Sequence, residues 1–137
     1  MKKGFAFVAL LAFCLVLFLL PADSSAGRRA GRWELLGERT VTDAVDHDTI
    51  PVTAARGTFR ALKIMVEERA VQFRDVKIHF ADGSVQDVTI RKAIPAGGES
   101  RKIDIRGRDR VVRSVEFWYD AQSIGGKRAT VRVYGQN

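Results

Sequence analysis

The sequence predicts an all-β domain, an antiparallel β-sandwich (jelly-roll-like or an open barrel) of seven to eight short strands. Three observations predict it. Apolar residues recur at every second position in successive short runs, the spacing of a strand with one face in a core. β-branched and aromatic residues dominate those runs. Glycine-bearing turns separate them, and no stretch carries a convincing long helical period. The clearest run is 110–119: Val111, Val115, Phe117 and Tyr119 share one parity, Arg113 interrupts it, and Glu116 and Trp118 share the other. Burying Val115 and Phe117 is expected to contribute about 2 kcal/mol each before entropy.

The chain opens Met1-Lys2-Lys3 and is apolar from Gly4 to Leu20, until Pro21; Ser24-Ser25-Ala26 follow. A basic start, an apolar middle and small residues at the minus-three and minus-one positions form a secretory signal peptide, residues 1–26. An uncleaved anchor is the alternative, but the apolar run is at the lower edge of a membrane span. Cys14 follows Phe13 rather than a small residue, which argues against lipid attachment. Cleavage after Ala26 leaves 111 of the 137 residues, one domain's worth, with no transmembrane span and no cysteine. Disulfides, a thiol nucleophile and cysteine metal sites are thereby excluded from the mature chain.

Residues 27–32 read as a flexible lead-in and 33–137 as the β-sandwich domain. The first strand, 33–41, contains Gly37, a bulge or a close backbone approach. Residues 43–49 are polar and turn-forming. Pro51 confines 50–52 to an edge, because it cannot donate to a ladder. Over 59–66 the alternation of Leu62, Ile64 and Val66 favours strand over the competing helix. In 70–82 the parity switches from Val71 and Phe73 to Val76, Ile78 and Phe80, which places a bulge near Arg74-Asp75. Asp82-Gly83 is a hairpin signal pairing 85–90 with 76–80. The segment 95–99 is a loop and 103–105 a short strand; 106–109 turns into the run at 110. Ser123 to Gly126 turns again, and Ala129, Val131 and Val133 mark the last strand. The expected core is Phe59, Leu62, Ile64, Val76, Ile78, Phe80, Val88, Ile90, Ile103, Ile105, Val115, Phe117, Val131 and Val133.

The chain carries 23 Lys and Arg against 16 Asp and Glu, for a net charge of +7; losing Lys2, Lys3 and Asp23 leaves +6. Such a balance favours anionic surfaces, and in an exported protein those are an envelope lipid, a polysaccharide or an envelope protein ahead of nucleic acid. Ordinary solubility explains the same excess. Arg101, Lys102, Arg106, Arg108, Arg110 and Arg113 are concentrated in one stretch, offset by Asp104 and Asp109. Arg106, Arg108 and Arg110 flank a turn and form a candidate anion-binding rim, because arginine forks bind carboxylate and phosphate bidentately. Trp118 beside that rim would add a stacking or cation–π surface; Trp33 and Tyr134 are rival aromatics. The plain alternative is a solvated turn whose arginines pair with the neighbouring aspartates.

Asp43, Asp46 and Asp48 are dense enough to ligate calcium, although the register of an EF-hand is missing; turn capping explains them equally well. His47 and His79 are the two histidines, too few for a zinc site without further ligands. No serine lies in a nucleophile-elbow context, and Gly97-Gly98 lacks the lysine of a phosphate loop. No cofactor and no catalysis are expected.

The order of several motifs resembles a family of small exported bacterial proteins, domain of unknown function 2541. They are Leu35-Leu36-Gly37, Val76-x-Ile78-x-Phe80, Ile94-Pro95-x-Gly97, Ile103-Asp104-Ile105, Arg110-x-Val112-x-Ser114-Val115-x-Phe117 and Ala129-Thr130-Val131-x-Val133-x-Gly135. The resemblance implies export and an all-β fold over residues 33–135 and carries no activity to transfer. The expected function is therefore a non-catalytic binding or interaction module in the periplasm or beyond, recognising an anionic envelope component. The alternatives are a small hydrolase using Asp46, His47 and Asp48, and a structural subunit pairing through an edge strand.

Overall fold

The computed structural model describes residues 31–124 and 126–137. Residues 1–30, which hold the expected signal peptide and most of the expected lead-in, lie outside the described residues, as does Gly125 of the expected last turn. The described residues hold eight strands: β1 (Trp33–Thr42), β2 (His47–Pro51), β3 (Ala61–Glu67), β4 (Phe73–Phe80), β5 (Val85–Val88), β6 (Ile103–Asp104), β7 (Val112–Tyr119) and β8 (Arg128–Gln136). They form two four-stranded antiparallel sheets in the orders β1-β8-β3-β6 and β2-β7-β4-β5. Two short 3-10 turns, Ala54–Arg56 and Ala121–Ile124, complete the elements. No helix among them is long and apolar enough to cross a membrane.

Alternation in sequence becomes burial in space. Leu62, Ile64 and Val66 on β3 and Val131 and Val133 beside them on β8 face Val76, Ile78 and Phe80 on β4 and Val115, Phe117 and Tyr119 on β7, all essentially water-free. Phe117 meets Phe73 edge-on, with ring centroids 5.7 Å apart, a favoured aromatic geometry. The expected helix competitor over 59–66 loses because its inward parity fills this core. Pro51 does sit on an edge strand, β2.

Three bulges adjust the register. Leu36 is extra on β1, Arg74 on β4 and Arg113 on β7. The second is the parity switch expected near Arg74-Asp75. Gly37, next to the first, allows a close approach: a Cβ there would stand 2.6 Å from Cγ2 of Ile50. The third corrects the sequence reading, because the extra Arg113 turns Val112 inward and leaves Val111 half-buried. Ile90 is a second correction. β5 ends at Val88, so Ile90 only packs against the margin of the core.

Candidate functional site

Ile103 and Ile105 turn inward, which by parity points Lys102, Asp104 and Arg106 outward. The turn that follows is tight: Gly107, Arg108 and Asp109 all have positive φ (86°, 51° and 44°). Two of these carry a Cβ, so the turn holds backbone strain of a kind that gathers at functional positions. The turn is tied to β5 by Gln86. Its Nε2 donates to the Asp104 carbonyl and its Oε1 accepts from the Arg106 N–H, both at 2.9 Å. Arg106 and Arg108 project into solvent.

Arg110 does not join them at a rim. Its guanidinium lies over the Phe80 ring, 3.6 Å from the centroid. Its Nη2 donates to Asp82 Oδ2 at 2.9 Å and also to the Ser84 hydroxyl. Asp82 is held below its ordinary carboxyl range by hydrogen bonds from the Ser84 hydroxyl and backbone, then by Arg110. Arg110 is therefore a clamp between the turn and the β4–β5 hairpin. Trp118 lies eight residues on, near the far end of β7, about 25 Å away at the rise of a strand. It stacks on His47 with centroids 4.6 Å apart. The turn and Trp118 do not share a surface. Trp33 and Tyr134 lie on the outer face of the other sheet, both beneath the Lys63 ammonium.

The positive charge instead continues along the seam between the two sheets. Arg101 Nη2 donates to the Thr89 carbonyl at 3.3 Å, so residues 101–106 run beside β5 and its extension. At the upstream end of this seam is a half-open cavity of about 620 Å³, lined by Thr89 to Pro95 and Glu99 to Arg101. Arg91, Lys92, Arg101, Lys102, Arg106 and Arg108 are all exposed. None of the six is in an ion pair among the described residues. The bordering carboxylates are largely occupied: Asp82 by Arg110, Asp87 by Lys77, Glu99 by Lys63 and Asp109 by Arg60.

Asp43, Asp46 and Asp48 do not gather. Asp48 pairs with Arg39 at 3.1 Å and accepts from the Thr49 N–H, while Asp43 and Asp46 are exposed. Among the described residues no group of three or more His, Cys, Asp or Glu is placed to hold a metal ion.

His47 turns away from this loop to a partner that sequence reasoning missed. Its Nε2 is 2.7 Å from Glu116 Oε2, and His79 Nε2 is 2.8 Å from Oε1 of the same carboxylate. The two histidines lie on strands either side of β7, 69 and 37 positions from Glu116 in sequence. Strand pairing assembles the cluster, so the only sequence signal was the outward parity of Glu116. It sits on an open sheet face, and among the described residues neither imidazole bonds a serine or threonine hydroxyl.

Among curated proteins none matches the chain in sequence. In fold the chain is similar to part of AlgX from Pseudomonas aeruginosa, with a TM-score of 0.55 and 15% identity over 76% of this chain. It spans about a quarter of that protein, 26% of its length. At this identity the likeness is one of fold alone. The profile of one family matches residues 10–135, nearly the whole sequence, and the chain belongs to it: Domain of unknown function (DUF2541).

Proposed function

We propose that this is an exported, non-catalytic binding module that recognises an anionic envelope component, lipid or polysaccharide, along the seam from Arg91 to Arg108. One observation carries the reading: six exposed cations in that stretch hold no counter-charge within the described residues, while the acids around them are mostly taken. Arginines and lysines in a row without a counter-charge are poised for phosphate or carboxylate. The strained Arg108 backbone supports the same surface. A hydrolytic reading is weaker, because His47 is paired to Glu116 on an open face rather than to Asp46 or Asp48 in a cleft. Edge pairing is weaker too. Arg39 occupies the Thr49 carbonyl on the edge strand β2, and the Gln86 side chain ties the edge strand β5 to Asp104 and Arg106.

The test is co-sedimentation with vesicles containing an anionic phospholipid, and with an acidic polysaccharide, at low and high salt. Binding should fall with salt, because exposed contacts are screened. The Arg106→Glu/Arg108→Glu double variant should bind more weakly, by about fivefold for each cation removed. Binding that ignores both salt and the variant would overturn the reading.

A further inference from the structure

We infer that the cavity at the upstream end of the seam is a preformed site for a small amphiphilic anion, a carboxylate or phosphate head carrying a short aliphatic chain. This rests on the seam's being the anion-binding surface and adds which ligand it reads and where.

The cavity is built rather than incidental. Its two walls are the segment 89–95 and the segment 99–101, and both are bonded to the sandwich. Ile94 exchanges two backbone hydrogen bonds with Val71, at 2.9 and 3.0 Å. Across the gap, Gly97 N–H donates to the Val66 carbonyl at 2.8 Å, Val66 N–H to the Gly98 carbonyl at 3.1 Å, and Ser100 N–H to the Ile64 carbonyl at 2.7 Å. The Ser100 hydroxyl is satisfied as well, accepting from Ile64 N–H and donating to the Arg101 carbonyl. Between these anchors the Pro95–Gly98 turn is closed so tightly that a Cβ on Gly98 would stand 2.7 Å from Cγ of Pro95. A site fixed in this way binds without the cost of ordering a loop.

Its chemistry has two parts. Ile90, Ala93, Ile94 and Pro95 supply an aliphatic lining. Ile90 is a core-type side chain left partly uncovered where β5 stops. Arg91, Lys92 and Arg101 supply the charge, and the one acid in the lining, Glu99, is already matched by Lys63 at 3.1 Å. A volume of about 620 Å³ falls among ordinary small-molecule pockets. No aromatic side chain lines it, so it offers no platform for stacking a sugar ring. Apolar floor and cationic mouth together call for a ligand with a hydrocarbon tail and one anionic end.

The experiment titrates the full mature chain, by calorimetry, with decanoate and with decyl phosphate below their micellar concentrations. Decanol and inorganic phosphate are run beside them. Both amphiphiles should bind saturably with one-to-one stoichiometry. Decanol, lacking the charge-assisted bonds, should bind about tenfold more weakly or worse, and so should inorganic phosphate, which lacks the chain. The exposed-site variant Arg91→Gln/Arg101→Gln and the lining variant Ile90→Asn should each lose about tenfold, with unchanged thermal melts showing that they fold. No saturable heat from either amphiphile overturns the inference, as does decanol or phosphate binding equally well. Anionic vesicles carry the same headgroup in a membrane. If they bind and the free amphiphile does not, the cavity site falls and the seam reading stands. If the amphiphile binds but vesicles and polysaccharide ignore Arg106→Glu/Arg108→Glu, the seam reading falls instead.

Discussion

Gln86 is the buried polar side chain of the described core, 7% exposed, and it works as a piece of backbone. Its amide donates to one strand carbonyl and accepts from the N–H two residues on, so the edges of β5 and β6 are stitched although the sheets remain separate. A side chain of the same size without hydrogen-bonding atoms strands two partners. Gln86→Leu should therefore cost about 1–3 kcal/mol, the penalty for buried groups left without a bond. It should also free the 105–110 turn and weaken anion binding with it. Urea melts that superimpose on wild type would show that the stitch contributes nothing. Arg110 has the same lesson in charge. It is one of a row of arginines in sequence, but Asp82, 28 positions earlier, claims it, and no local pattern distinguishes it from Arg106 or Arg108.

At the scale of the element, β7 shows what alternation can and cannot reveal. Val115, Phe117 and Tyr119 face inward as the pattern demands, and Glu116 and Trp118 face outward. The pattern fails at Val111 because one inserted residue shifts parity, and Arg113 looks like any polar interruption until its pairing with β4 is known. The outer face was legible residue by residue but not as a cluster, since His47 and His79 reach Glu116 only through two separate strand pairings. That cluster sets a pH dependence. The hydrogen bond from His79, aided by that from His47 and opposed by partial burial, holds the Glu116 carboxyl below its ordinary value of 4.5. The unfolded chain then binds more protons than the folded one as the medium acidifies. The stabilisation is complete above the unfolded value and is lost as pH falls through the lower folded value. Glu116→Gln should consequently flatten the acid limb of the melting temperature against pH relative to wild type. Parallel acid limbs for the two proteins would remove Glu116 from the account.

For the whole molecule, connectivity decides how the parts depend on one another. β8 comes last in sequence yet lies inside the first sheet, flanked by β1 and β3, and its register joins Trp33 to Gln136. In the second sheet β2 pairs with β7 across a comparable span. Most strands were readable from local pattern; β2 was not, because His47 to Thr49, read as part of a polar turn, pair with β7. This order was not, because antiparallel partners so far apart leave no trace in spacing. Long-range pairing must be closed before burial repays it, so folding in milliseconds to seconds is expected rather than microseconds. The first sheet also cannot form piecemeal. Without β8, β1 has no partner in that sheet, and β3 keeps only the two residue pairs it makes with β6. The inward Val131 and Val133 go too, each contributing about 1.5–3 kcal/mol of burial, against a total of about 5–15 kcal/mol for a domain of this kind. Residues 27–127 alone should therefore show no cooperative thermal transition and no dispersed amide spectrum, while residues 27–137 show both. A sharp melt from the shortened chain would mean that the second sheet folds alone, and that the sandwich is two units rather than one.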